Sequence, residues 1–155
     1  MKRSMSLAIT VTILALGAMV SYAQEDPSNV LTPAFKPISS KTMTLKYGFK
    51  GASVYDNADK KWHLYKMTTI TRSKVEGFVN QVNDNFALAA GLHEVAVYDF
   101  NKHKWFIYKN GGCDDSTGGL KTNFEMTADY VKVKILNGPW IRYAPNQNGW
   151  AELGR

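Results

Sequence analysis

One spacing constrains this chain more than any other feature. Three times, a tyrosine is followed seven positions later by a tryptophan: Tyr55 and Trp62, Tyr98 and Trp105, Tyr143 and Trp150. The segments read SVYDNADKKWHLY (53–65), AVYDFNKHKWFIY (96–108) and IRYAPNQNGWAEL (141–153), so successive copies start 43 and 45 residues apart. A fixed period of this length marks a repeated structural unit, each copy too small to bury its own apolar face alone.

Each copy reads as a β-hairpin. Two runs rich in Val, Ile, Tyr, Phe and Trp flank a polar turn of Asn, Asp, Lys and Gly. A further strand is expected before each hairpin, at Met43–Tyr47, Phe86–Ala90 and Tyr130–Ile135. The last alternates Val131, Lys132, Val133, Lys134, Ile135, which gives one buried face and one wet face. Two more strands are expected around Arg72–Val82 and Leu120–Met126. No segment sustains a 3.6-residue apolar period; Val75–Ala90 comes nearest, and Gly77, Asn83 and Asn85 break it.

The N-terminus has the three parts of a secretory signal. Lys2 and Arg3 open it, Leu7–Val20 is an uncharged apolar run, and Ser21-Tyr22-Ala23 supplies small residues at the cleavage positions. That run has 14 residues, short of the roughly 20 that span a bilayer, so the segment reads as a signal peptide over 1–23 rather than an anchor. Residues 24–40, with Pro27, Pro33, Pro37 and paired serines, read as a flexible leader. Residues 41–155 form the repeat domain. The chain is 155 residues with a net charge of +6; losing Lys2 and Arg3 leaves a mildly basic +4. The expected location is the periplasm or the extracellular medium, with no membrane span in the mature chain. A lone cysteine, Cys113, excludes an intrachain disulfide framework and leaves an intermolecular one open.

The first two units resemble a blade of a WD- or kelch-type β-propeller. The resemblance rests on an apolar strand ending in Gly (Phe86-Ala-Leu-Ala-Ala-Gly91), then Val-Ala-Val-Tyr-Asp99, a turn, and Lys104-Trp105. It covers roughly residues 43–153. The third unit departs from it: Ala144 stands for the Asp, Gly149 for the Lys, and Arg142 for a Val. The resemblance implies four-stranded antiparallel sheets. Propellers close with about four to eight blades, so three would close only if two chains joined in a homodimer; an open three-blade sheet, with exposed strand edges, is a further option. A β-trefoil or β-prism, each built from three repeats of this length, is the competing architecture.

Seven aromatics are candidate ligand-binding residues: Tyr55, Trp62, Tyr98, Trp105, Trp140, Tyr143 and Trp150. Aromatic faces stack on sugar rings, and a repeat would space such pockets evenly. The alternative is that they pack hairpin on hairpin. Asp56 and Asp99 end equivalent strands and serve as turn caps or as a repeated ligand contact. Lys60, Lys61, Lys102 and Lys104 fall at equivalent tips and would form a basic rim or a solvated one. The loop Gly111–Gly119 carries Cys113, Asp114 and Asp115; its carboxylates disfavour a reactive thiolate. His63, His93 and His103 occupy non-equivalent positions, and His103 lies between two lysines, so no metal set, cofactor or catalytic group is expected. The composite expectation is an exported, non-catalytic binding module for carbohydrate or another cell-envelope polymer. A self-associating structural protein is the second reading. A hydrolase using Asp114, Asp115 and a distant histidine is the third. Export argues against nucleic acid.

Overall fold

A computed structural model describes residues 36–48, 51–66, 79–90, 94–109, 123–134 and 138–154. The signal segment, residues 24–35 of the leader, His93 and the Gly111–Gly119 loop lie outside the described residues. The described chain is all β, in three separate four-stranded antiparallel sheets. The first contains β1 (Ile38–Ser39), β2 (Met43–Gly48), β3 (Gly51–Asp56) and β4 (Lys61–Lys66). The second contains β5 (Val79–Val82), β6 (Phe86–Ala90), β7 (Glu94–Asp99) and β8 (Lys104–Lys109). The third contains β9 (Asn123–Met126), β10 (Val131–Lys134), β11 (Trp140–Tyr143) and β12 (Trp150–Glu152). Each sheet is a meander in chain order, as expected when short turns join antiparallel neighbours.

Two details differ from the sequence reading. The strands expected after the first and second hairpins are β5 and β9, and they open the next sheet by pairing with β6 and β10. The first sheet takes its outermost strand from the stretch read as leader, through Ile38 opposite Leu45 and Ser39 opposite Thr44.

The sheets stack face on face as blade-like layers. Met43, Leu45, Ala52, Val54 and Tyr65 of the first sheet pack on Ala87, Ala89, Ala96 and Tyr98 of the second. The opposite face of the second sheet, with Phe86, Leu88, Ala90, Val95 and Val97, packs on Val131, Val133, Ile141 and Tyr143 of the third. Every residue of β6 and β7 is therefore buried, which explains why Phe86–Ala90 reads as a continuous apolar run and not an alternation. Three sheets around one shared centre would each keep a wet face. This middle sheet has none, and no barrel closes among the described residues, so the stacked-blade architecture holds over the trefoil or prism.

The Tyr–Trp pair forms the joint between sheets. Register places Tyr55 opposite Trp62, Tyr98 opposite Trp105 and Tyr143 opposite Trp150. In the second and third sheets the pair faces the preceding sheet. Tyr98 Oη donates to Asp56 Oδ2 at 2.8 Å, and Tyr143 Oη donates to Asp99 Oδ2 at 2.6 Å. The Trp105 indole N–H donates to the His63 carbonyl at 2.8 Å, and that of Trp150 to the Phe106 carbonyl at 3.1 Å. Asp56 and Asp99 also cap their own turns: Oδ1 accepts from the Ala58 amide at 2.8 Å in one, and from the Asn101 amide at 2.9 Å in the other. Each Asp thus fixes a turn with one oxygen and the next sheet with the other. At the same rim, Thr42 Oγ1 donates to the Asp84 carbonyl and Asn83 Nδ2 to the Thr127 carbonyl.

Candidate functional site

The joints decide which candidate aromatics can meet a ligand. Tyr98 and Tyr143 are fully buried, with their hydroxyls committed to carboxylates. Burial and these bonds push both phenols far above their ordinary ionisation range. Trp105 and Trp150 pack against the two cores. All four pack at the joints between sheets; Tyr98 and Tyr143 are closed off there, whereas Trp105 and Trp150 are half-buried. The other three, Tyr55, Trp62 and Trp140, lie on the two outward faces of the stack.

On the first sheet, Val54 points into the core, so its neighbour Tyr55 points outward. Tyr55 and Trp62 sit with ring centroids 5.3 Å apart, and Lys46 Nζ lies 4.7 Å from the Trp62 ring. Among the described residues, neither the Tyr55 hydroxyl nor the Trp62 indole N–H has a hydrogen-bond partner, unlike their counterparts in the joints.

The third sheet's outward face has a different chemistry. Val131, Val133, Ile141 and Tyr143 point into the core, so Lys132, Lys134, Trp140 and Arg142 point away from it. Lys132 pairs opposite Arg142, and Lys134 opposite Trp140. The equivalent positions of the second sheet hold Leu88, Val97, Ala90 and Val95, all buried. An apolar docking face has thus been replaced by a cationic one. Lys132 Nζ lies 4.6 Å and Lys134 Nζ 5.9 Å from the Trp140 ring, and the Arg142 guanidinium lies 4.6 Å from the Tyr130 ring. Such contacts hold cations over aromatic faces at a modest gain. Glu125, opposite Lys132, is the face's carboxylate, and the Tyr130 hydroxyl donates to it. Arg142 Nε has no acceptor among the described residues. Like charges directly opposed across strands destabilise a sheet, so Lys132 beside Arg142 costs stability that Glu125, on the other side of Lys132, offsets in part.

The tip lysines divide. Lys102 Nζ donates to the Pro145 carbonyl at 2.6 Å and lies over Phe106 at 5.1 Å; Lys104 lies over Phe106 at 4.8 Å. Both serve the joint between second and third sheets and form no common rim.

A cluster of a second kind brings together residues that the sequence reading did not group. Asp56, Asp59 and His103 bring one ligand atom each within 4.8 Å of one another. His103 Nδ1 lies 2.7 Å from Asp56 Oδ2, and His63 Nε2 lies 2.7 Å from Asp59 Oδ2. Burial opposes ionisation of Asp56, but the bonds from His103, the Ala58 amide and Tyr98 outweigh it and hold its carboxyl below the ordinary range. No local spacing reveals this cluster, because His103 comes from the turn one repeat later. The signal that could have found it is the repeat itself: stacking equivalent turns sets residues one period apart side by side.

No family model matches the chain, and no curated protein is significantly similar to it. The arrangement of its own residues therefore carries the functional reading.

Proposed function

We propose that this protein is an exported, non-catalytic binding module for an anionic carbohydrate polymer, which lies across the outward face of β10 and β11. The observation that carries this reading is the substitution of Lys132, Lys134, Trp140 and Arg142 for the apolar positions of the middle sheet. A face that only ended the stack would need polarity of either sign. Among the described residues, this one sets three cations against the single carboxylate of Glu125 and adds two aromatic rings. Cations attract carboxylate or sulfate groups, and the rings of Trp140 and Tyr130 supply apolar contact for a sugar. The signal-like character of residues 1–23 supports a polymer met outside the cytoplasm.

Affinity electrophoresis tests the reading, with a polyuronate, a sulfated glycan and a neutral glucan in the gel. Retardation by the two anionic polymers but not the neutral one is expected, weakening between 50 and 200 mM salt as surface charges are screened (Debye length ~10 Å at 0.1 M). Lys132→Ala combined with Lys134→Ala should weaken retardation at least tenfold. Equal retardation by the neutral glucan, or none by any polymer with the protein folded, would refute the reading.

A further inference from the structure

The two joints between sheets are built alike except at one place. In the second joint, Lys102 stands three residues after the joint aspartate Asp99, and its ammonium reaches across to the Pro145 carbonyl of the third sheet. In the first joint, Asp59 stands three residues after Asp56, and the facing turn contributes His103. Where one joint carries a tethered cation, the other carries two carboxylates and an imidazole.

We propose that the first joint is a binding site for a divalent transition-metal ion of the zinc type, held by Asp56, Asp59 and His103. Imidazole with carboxylates suits zinc, copper and nickel, whereas calcium needs six to eight oxygens that this cluster lacks. Three protein ligands leave a fourth, solvent-facing position on a tetrahedral ion. The present contact of 2.7 Å between His103 Nδ1 and Asp56 Oδ2 is a hydrogen bond. With the ion bound, Nδ1 turns a lone pair to the metal and the ring proton sits on Nε2. The two ligand atoms then separate to ~3.4 Å, the span of two bonds of ~2.1 Å at a near-tetrahedral angle.

Three further features favour the site. The side chain of His103 is 44% exposed while that of Asp56 is fully buried, so one ligand is fixed and one open to arriving ions. His63 Nε2, 2.7 Å from Asp59 Oδ2, orients that carboxylate, as the outer partners of ligating carboxylates do. Lys102 and Lys104, the neighbours of His103 in sequence, direct their ammonium groups over Phe106 toward the other joint. The lysines that made His103 look unsuited to a metal are thus turned away from it.

Zinc titration by calorimetry tests the proposal, using full-length protein carrying Cys113→Ser so that the thiol cannot ligate. One ion per chain is expected, with no heat from calcium or magnesium. His103→Ala and Asp59→Asn should each weaken zinc binding at least tenfold; His63→Gln should weaken it less. His103→Gln serves if the alanine variant fails to fold by circular dichroism. A cobalt-loaded sample should show the visible absorption of a nitrogen- and oxygen-ligated ion, lost in the Asp59 variant. No zinc binding at 100-fold molar excess, or equal affinity in the His103 and Asp59 variants, would overturn the assignment.

Discussion

Removing the Tyr143 hydroxyl should cost more than removing that of Tyr98, although the two joints share one design. The reason lies in what each aspartate retains. Asp99 Oδ2 accepts from Tyr143 at 2.6 Å and has no other hydrogen-bond donor among the described residues, while its Oδ1 accepts from the Asn101 and Lys102 amides. Tyr143→Phe leaves one oxygen of a fully buried carboxylate without a donor. A hydrogen bond to a charged group contributes about 1.5–3 kcal/mol, and stranding a buried partner lies at the upper end. The expected loss is therefore about 2.5 kcal/mol. Asp56 Oδ2 also accepts from Tyr98, but keeps His103 Nδ1 at 2.7 Å. Tyr98→Phe should then cost only about 1–1.5 kcal/mol, near the mean for one hydrogen bond. Urea unfolding followed by tryptophan fluorescence resolves the difference. With a slope of about 2 kcal/mol per molar urea, the midpoint should fall by roughly 1.2 M for Tyr143→Phe and about 0.6 M for Tyr98→Phe. Removing His103 from the Tyr98→Phe background should bring the first joint's loss up to that of the second. Equal losses, a larger loss at Tyr98, or a change under about 0.5 kcal/mol at Tyr143 would refute the argument that these bonds fasten the sheets.

Two further outcomes follow from the same joints. Tyr65, Tyr98 and Tyr143 have phenols raised by burial and by bonds to Glu94, Asp56 and Asp99. A phenol raised in the folded state contributes stability that is complete below its unfolded value near 10 and is lost as pH climbs through and above it. Urea midpoints should thus hold level from pH 7 to 9.5 and fall above pH 10, less steeply in Tyr143→Phe. Closing two chains into a six-sheet ring would lay the Tyr55 face of one copy against the third sheet of the other. There Ala144 replaces the accepting aspartate, and Lys132 and Lys134 would meet Lys46. Light scattering after size exclusion should accordingly give a monomer; a reductant-insensitive dimer would show that the ends join by other contacts.

The sequence made the units legible because their signals are local. Period-2 alternation located β10, with Val131 and Val133 buried and Lys132 and Lys134 half-exposed. The apolar run located β6 at Phe86–Ala90. Membership of sheets was less legible: β5 and β9 follow one hairpin in sequence yet pair with the next, since pairing is decided by which apolar faces must be covered. The site was least legible. Tyr98 finds Asp56 and His103 finds Asp56 over separations of 42 and 47 residues, and such contacts leave no trace in local spacing. The repeat shows only that equivalent residues exist. Stacking decides that Tyr98 is buried while Tyr55, identical in its motif, faces outward.

The most direct test of the account is nuclear magnetic resonance of the labelled protein titrated with a short acidic oligosaccharide. The account predicts shifts concentrated at Lys132, Lys134, Arg142 and the Trp140 indole N–H, with the Trp105 and Trp150 indoles unmoved between their sheets. Shifts centred on the Tyr55–Trp62 face, or none at saturating oligosaccharide, would contradict it.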